Sequence, residues 1–241
     1  TLITLSVIFS AGAAGISGSF AAALYVLAAI VLGVFITLLV SKLLSKTILK
    51  GLPSSFTLEL PPYRKPRVGR IIVRSIFDRT LFVLGRAVAV AAPAGLVIWV
   101  MANTAIGGVS LLAHGARLLD PFARLLGLDG YILMAFILGF PANEIVIPIL
   151  IMSYTAGGTM VELDSLAEMK QLFVDRGWTW VTAACMMLFS LNHWPCGTTL
   201  WTIRKETQSW KWTWVSFLVP TLTGILLCII VAQGARLLGL G

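Results

Sequence analysis

The sequence predicts an all-α, polytopic membrane protein, built as a helix bundle with Pro/Gly-interrupted helices and an interfacial amphipathic helix. Three observations support this fold class. The 241 residues are 58% hydrophobic and 12% charged, whereas soluble domains carry roughly 25% charged residues. Residues 1–41 contain no charged side chain. The net charge of +8 is concentrated in one segment, which is typical of a loop beside a membrane.

Apolar segments of suitable length recur along the chain. A helix needs about 20 apolar residues to cross a hydrocarbon core of roughly 30 Å. The Gly-rich residues 12–18 separate the end of one helix from one complete spanning helix. His114 falls in a predicted surface segment, and Trp178 and Trp180 are expected in an interfacial aromatic belt. The predicted apolar segments are 1–11, 19–41, 87–103, 130–153, 178–203 and 212–235.

The basic segment 42–86 indicates the orientation of the chain. It holds ten Lys or Arg residues against two acidic residues, and the rest of the chain is neutral overall. Because basic loops stay on the cytoplasmic side, we predict that 42–86 is cytoplasmic. Apolar residues alternate with arginines over 68–83, which favours a helix lying on the anionic leaflet, after an extended 58–66. A nucleic-acid-binding patch would require interleaved aromatic residues and a binding-fold pattern, and both are missing.

The sidedness of the later loops depends on residues 130–153. If these residues form a re-entrant hairpin, the loop 154–177 is outside and the loop 204–211 is cytoplasmic. If they span the membrane, the two sides exchange. The loop 204–211 has three Lys or Arg residues and the loop 154–177 has two, which favours the hairpin. The loop 154–177 is also predicted to contain a short amphipathic helix.

Glu144 stands alone in an uncharged segment, within the motif GFPANEIVIP at 139–148. A carboxylate at membrane depth costs roughly 2.5–3.5 kcal/mol on lenient insertion scales, and such groups usually serve a function. Pro148 has no N–H, so in a helix the carbonyl of residue 144 would lose its partner. The motif therefore predicts a broken helix near Pro141 and a cation site at Glu144, beside Asn143. A protonated, hydrogen-bonded carboxyl group is the alternative.

A second interrupted segment carries the motif NHWPCGTT at 192–199. Pro195 removes one backbone hydrogen bond and Gly197 eases unwinding, so we predict a break over 191–197. Two Pro/Gly-interrupted segments with polar groups at the breaks indicate a transporter's midplane site. The carboxylate, imidazole, thiolate and amide ligands suit Fe²⁺, Zn²⁺ or Co²⁺ better than Mg²⁺ or Ca²⁺. The candidate metal ligands are Glu144, Cys196, Asn143 and His193.

The Cys and His residues also have purely structural interpretations. Cys196 is equally well explained as a small buried hydrophobic residue. For His193, beside Trp194, a role as an interfacial anchor is favoured over metal ligation. Cys185 and Cys228 lie in plain apolar sequence and are expected to pack in the core. Cys185 would be about 16 Å from Cys196 along a continuous helix, too far to share an ion. No disulfide is predicted.

Four short motifs resemble one known family. They are LELPPYR at 58–64, the residues from Gly139 to Glu144, the pair Pro195-Cys196, and RKETQSWKW at 204–212. At these positions the chain resembles the C-terminal part of ferrous iron transport protein B, a bacterial and archaeal Fe²⁺ importer with a cytoplasmic G domain. The resemblance covers essentially the whole chain.

The resemblance implies a domain organisation and a set of partners. A core transmembrane helix pair is expected at 1–50, a basic cytoplasmic loop with an interfacial helix at 51–86, and a second, nucleoside-recognition-like gate domain at 87–241. The upstream G domain and first gate domain of the same protein, membrane lipid, a small cytosolic accessory protein and a second copy of the chain are the candidate partners. The expected location is the bacterial or archaeal cytoplasmic membrane.

The resemblance also implies transport of Fe²⁺, with no resident cofactor and no nucleic acid. The chain begins with Thr1 inside a hydrophobic run and lacks a signal-peptide pattern, so we expect it to be part of a longer membrane protein. It has no Gly-x-x-x-x-Gly-Lys-Ser/Thr loop and no His-Glu-x-x-His motif, so neither nucleotide hydrolysis nor metalloprotease activity is expected here. Many family members have Lys before the gate Glu; this chain has Asn143, which leaves Glu144 more available to a cation. The alternative function is a gate-like scaffold of the spore-maturation or nucleoside-recognition type, without transport.

Overall fold

The computed structural model describes residues 16–48, 81–155 and 166–239, with a few single positions between 69 and 80. These residues fold into α-helices joined by short connections. The helices are α1 (Ile16–Lys46), α2 (Phe82–Asn103), α3 (Leu111–Leu125), α4 (Gly130–Leu138), α5 (Val146–Thr155), α6 (Leu166–Asp175), α7 (Trp180–Asn192), α8 (Gly197–Thr207) and α9 (Trp210–Leu237).

Two short strands interrupt the helical pattern between α2 and α3. The strand β1 (Ala105–Ile106) pairs antiparallel with β2 (Val109–Ser110). Gly107 and Gly108 form the turn at φ of 62° and 80°, a left-handed conformation that glycine adopts without steric cost. The hairpin was not predicted from the sequence.

The all-α membrane class is confirmed. Within the described residues, α1 over Ala23–Lys46 and the whole of α9 are each long and apolar enough to cross a membrane. The helices α3 and α4, bent by 110° at their junction, would add a third crossing if they count as one span. The spanning helix predicted at 19–41 is α1, and the segment predicted at 212–235 is α9.

The remaining segment predictions divide into three groups. The segment 87–103 corresponds to α2, and the short helix predicted in 154–177 is α6. The segments 130–153 and 178–203 are each split into two helices, as predicted. The helix end at 1–11 and the extended 58–66 lie outside the described residues, and the in-plane helix at 68–83 lies almost entirely outside them. These three remain predictions.

Helix α3 was missed in the sequence, where its residues were assigned to a surface segment. Its start is capped by Ser110, whose hydroxyl accepts a hydrogen bond from the Ala113 amide at 3.2 Å, and Gly127 at φ 72° follows its end. One face is buried through Leu112 and Ala116, while His114 is exposed on the other. The helix is therefore amphipathic, and its charged face hid the apolar one in a search for uncharged stretches.

Helices α4 and α5 form a helical hairpin, because the start of α4 and the end of α5 lie at the same end of the bundle. Asp129, which caps the start of α4, accepts a hydrogen bond from the hydroxyl of Tyr154 at the end of α5. Trp178, just before α7, donates its Nε1–H to the same hydroxyl at 2.9 Å. Trp178 is buried and stacks on Phe173 at 4.4 Å. Its assignment to an interfacial belt is therefore wrong, whereas Trp180 is exposed.

Helices α7 and α8 together run antiparallel to α9. Three contacts establish this direction, because successively later residues of α7 and α8 contact successively earlier residues of α9. The Cys185 and Cys228 thiols each donate to the other residue's carbonyl, at 3.9 and 3.4 Å. A Cβ at Gly224 would lie 2.7 Å from the Asn192 carbonyl oxygen. The Arg204 guanidinium lies over the Trp210 ring at 4.9 Å. The structure describes all three cysteines as free thiols, and Cys185 and Cys228 pack in the core as expected.

Candidate functional site at the two helix breaks

The first break lies at the tip of the α4–α5 hairpin. Helix α4 ends at Leu138, and a single 3₁₀ turn, Asn143–Ile145, precedes α5. Only glycine fits at 139, because a Cβ there would lie 2.5 Å from Val146 Cγ2 and 2.9 Å from the Ala135 carbonyl oxygen. Glu144 is exposed on the 3₁₀ turn. The predicted break near Pro141 is confirmed, and it presents Glu144 at the hairpin tip.

The second break separates α7 from α8. Helix α7 ends at Asn192 and α8 begins at Gly197, with Cys196 as its N-cap residue. The predicted interruption over 191–197 is therefore confirmed. The Cys196 sulfur is half-exposed and lies 3.1 Å from Thr198 Oγ1 and 3.0 Å from Thr199 Oγ1. A thiol and two hydroxyl groups thus share one turn at the start of α8.

The two breaks meet in space. The Gly197 amide donates a hydrogen bond to the Phe140 carbonyl oxygen at 2.8 Å. A Cβ at position 197 would lie 3.0 Å from Phe140 Cε1, so the glycine also permits the close approach. The Glu144 carboxylate lies within electrostatic range of the Cys196 thiol. We refer to this region, which comprises residues 139–145 and 192–199, as the break junction.

His193 lies inside the second break and not at an interface. Its ring is half-buried between Phe136, at 5.1 Å, and Phe189, at 6.1 Å. Nδ1 lies 2.9 Å from the Ser190 carbonyl oxygen. A carbonyl only accepts hydrogen bonds, so Nδ1 carries the proton and Nε2 keeps its lone pair. The interpretation of His193 as an interfacial anchor is therefore disfavoured.

Unpartnered polar atoms cluster at the end of α7. Among the described residues, three buried side-chain polar atoms lack a hydrogen-bond partner: Ser190 Oγ, His193 Nε2 and Trp194 Nε1. Buried polar groups are nearly always paired, so an unpaired cluster indicates a place for water or an ion. Ser190 and Trp194 were not among the residues selected from sequence. A serine three positions before a histidine carries no signal without the fold.

The four predicted ligands do not form a closed metal site. In the part of the chain that the structure describes, no three His, Cys, Asp or Glu side chains converge closely enough to hold an ion. Glu144 and Cys196 lie at the break junction within electrostatic range of each other. Asn143 is half-buried in the 3₁₀ turn beside Glu144, and His193 is enclosed by aromatic rings. The arrangement offers separate ligand atoms instead of one coordination shell.

Comparison with known proteins gives the family. Residues 26–78 match the family described as "Ferrous iron transport protein B C terminus". Residues 84–210, more than half of the chain, match the family described as "Nucleoside recognition". The chain belongs to the ferrous iron transport protein B family. It corresponds to the C-terminal membrane part of that family.

Several relatives carry the name Fe(2+) transporter FeoB. One from Staphylococcus aureus (strain MSSA476) is 30% identical over 217 residues, which are 87% of this chain and 31% of the relative. One from Synechocystis sp. is 28% identical over 76% of this chain and 29% of its own length. One from Methanocaldococcus jannaschii is 27% identical over 75% of this chain and 28% of its own length. The chain thus spans about a third of the length of these relatives. No solved structure matches the chain significantly.

Proposed function

We propose that this chain is the membrane part of a ferrous iron transporter, and that Fe²⁺ passes along the break junction. The observation that carries the proposal is the hydrogen bond from the Gly197 amide to the Phe140 carbonyl. This bond joins two interrupted helices at one point, and an interrupted helix pair with polar groups at the breaks is how many transporters build a midplane site. The relatives' name, Fe(2+) transporter, supports iron as the cargo.

The chemistry of the break junction suits a cation in transit. Helices α4 and α7 both end there, and the carbonyl groups at helix C-termini carry partial negative charge. Glu144 adds a carboxylate, and Cys196 adds a soft sulfur that favours Fe²⁺ over Mg²⁺. Asn143 and the Nε2 lone pair of His193 are the further donors. Separate, incomplete ligand sets bind weakly enough to release an ion, which conduction requires.

The rest of the transporter is supplied by sequence beyond this chain. The relatives are about three times longer than the part that matches. We assign the missing length to an upstream G domain and a first gate domain of the same protein, which would gate and complete the pathway. Within this chain, 1–50 would contribute the core helix pair, 51–86 the cytoplasmic loop and 87–241 the second gate domain.

The test is Fe²⁺ uptake by the full-length gene product in proteoliposomes. Glu144→Ala should abolish uptake, because it removes the one carboxylate at the hairpin tip. Glu206→Ala is the matched control: it removes an exposed carboxylate from the last turn of α8 and should leave uptake unchanged. Both proteins should insert into the membrane to the same extent. Uptake at the parent rate by Glu144→Ala would refute the proposed pathway.

A further inference from the structure

A groove of about 1000 Å³ opens on the surface of the bundle between α3, α4, α8 and α9. Its walls are apolar along most of its length. At one end lies a single cationic group, the Arg204 guanidinium, among exposed tryptophans. The apolar walls are formed mainly by Leu119, Phe122, Leu133, Ile137, Leu200 and Phe217, and the aromatic residues near Arg204 are Trp201, Trp210 and Trp214.

The Arg204 guanidinium has N–H donors that no described residue uses. Its side chain is half-buried, and its guanidinium lies 4.9 Å from the Trp210 ring. Within the described residues it makes no hydrogen bond or ion pair. A guanidinium presents five N–H donors in a planar fork that matches phosphate oxygens. The Trp210 ring orients the guanidinium but accepts no hydrogen bond from its N–H groups.

The groove extends from the Arg204 end to the break junction. Gly197, at the start of α8, and Phe140, in the first break, both line it. Arg204 and Gly197 are seven residues apart on α8, which is about 10 Å along the helix axis. The hydrocarbon core of a bilayer is roughly 30 Å thick, so this distance is comparable with the thickness of one leaflet. The tryptophans around Arg204 mark the level of the membrane interface. The charged end therefore lies at headgroup level and the apolar part at acyl-chain level.

We propose that this groove binds one anionic phospholipid. The Arg204 guanidinium would hold the phosphate, and an acyl chain would lie along the apolar walls as far as Phe140. Charge complementarity selects an anionic lipid, because residues 204–211, at the junction of α8 and α9, include three basic residues and one acidic residue. Basic pockets between transmembrane helices are known to recognise anionic headgroups. The lipid would contact both sides of the break junction, yet its binding does not depend on which ion the protein carries.

The test uses the full-length gene product in mild detergent, titrated with phosphatidylglycerol or phosphatidylcholine and examined by native mass spectrometry. The parent protein should retain one phosphatidylglycerol in preference to phosphatidylcholine. Arg204→Gln should weaken phosphatidylglycerol binding about tenfold, the loss expected for a charged hydrogen bond. Lys211→Gln removes a nearby positive charge in the first turn of α9, outside the lining of the groove, and should leave the preference intact.

Two further variants test whether the lipid lies in this groove. Leu200→Trp fills the groove while Arg204 remains, and should abolish phosphatidylglycerol retention. Arg204→Lys keeps the charge and should retain most of the preference. Equal losses in Arg204→Gln and Lys211→Gln would overturn the proposal in favour of general surface charge. Unchanged binding in Leu200→Trp would overturn it too, because the lipid would then bind outside the groove. Equal retention of the two lipids by the parent protein would likewise overturn it.

Discussion

Cys196 differs from the other two cysteines in what surrounds its sulfur. Its thiol is half-exposed beside two threonine hydroxyl groups at the break junction. Cys185 and Cys228 are completely buried between α7 and α9. Sequence alone left the role of Cys196 evenly divided between packing and ligation. Its position at the N-cap of α8, close to Glu144, now favours ligation.

Serine substitution at each cysteine distinguishes ligation from packing. Cys196→Ser should weaken Fe²⁺ uptake by roughly tenfold or more, the scale for altered groups in metal sites, because an oxygen replaces the soft donor. Cys185→Ser and Cys228→Ser should transport Fe²⁺ at the parent rate and lose only thermal stability. The measurement is uptake by the full-length protein, with unfolding followed in detergent. Equal transport by all three variants would leave Cys196 as a packing residue.

Tyr154 closes the open end of the α4–α5 hairpin. Its hydroxyl donates to Asp129 and accepts from Trp178 Nε1. Tyr154→Phe would leave half-buried Asp129 and buried Trp178 without this bond, so we expect a loss of about 1–3 kcal/mol in unfolding free energy. Tyr131→Phe is the matched control: its ring packs against Tyr154 at 5.7 Å, but within the described residues its hydroxyl makes no hydrogen bond. Thermal unfolding in detergent is the measurement, and equal stability of the two variants would contradict this role.

At the scale of elements, the two interrupted segments have different geometries. The segment 130–153 turns back and forms a hairpin, whereas α7 and α8 continue in one direction along α9. The difference follows from the number of residues between the helices and from what fixes the ends. Seven residues, 139–145, separate α4 from α5, and the bond from Tyr154 to Asp129 closes the turn. Only four residues separate α7 from α8, and both pack on α9.

Gly224 allows α9 to approach the second break. A Cβ there would lie 2.7 Å from the Asn192 carbonyl oxygen, and backbone does not yield as a flexible side chain would. Gly224→Ala should therefore push α9 from the end of α7 and destabilise the protein by about 1–3 kcal/mol. Gly234→Ala, on the same helix with nothing within 4 Å, should be neutral or stabilise by up to about 1 kcal/mol. Thermal unfolding of both variants in detergent tests this contrast, and similar melting temperatures would count against it.

At the scale of the whole molecule, much of the apolar surface is uncovered. Helix α1 exposes a long series of large apolar side chains, with Ile36 as its buried contact residue, and Gly33 faces Leu191 of α7. Such a surface suits lipid or other helices of a longer membrane protein. By the positive-inside rule, the basic residues of 42–86 predict that this segment lies on the cytoplasmic side of the membrane.

Orientation can be tested at Ser54 in the predicted cytoplasmic loop. In the full-length protein with its native cysteines replaced, Ser54→Cys should resist a membrane-impermeant thiol reagent added to intact cells. The same residue should react after the cells are opened, because the loop is then accessible. Labelling from outside intact cells would contradict the predicted cytoplasmic position of 42–86. The predicted sides of residues 154–177 and 204–211 would then exchange as well.

The sequence by itself determined the fold class, the positions of both breaks and the family. The fold class and the breaks depend on local properties of the sequence. A long uncharged stretch indicates a segment buried in the membrane. Pro141, Pro195 and Gly197 remove or weaken hydrogen bonds within their own helix turn. Glu144 and Cys196 could be selected from their motifs for the same reason, because each lies beside a proline or glycine that interrupts its own helix.

Only the tertiary structure decided which residues meet. The contact of Gly197 with Phe140, the unpaired Nε2 of His193 and the groove below Arg204 each depend on two or more helices packed at one angle and register. The amphipathic α3 was missed for a different reason: its apolar face is present in its own sequence, but a search for uncharged stretches passes over a helix with a charged face. Helix packing depends on shape complementarity between distant segments, and no pattern along a single segment encodes it.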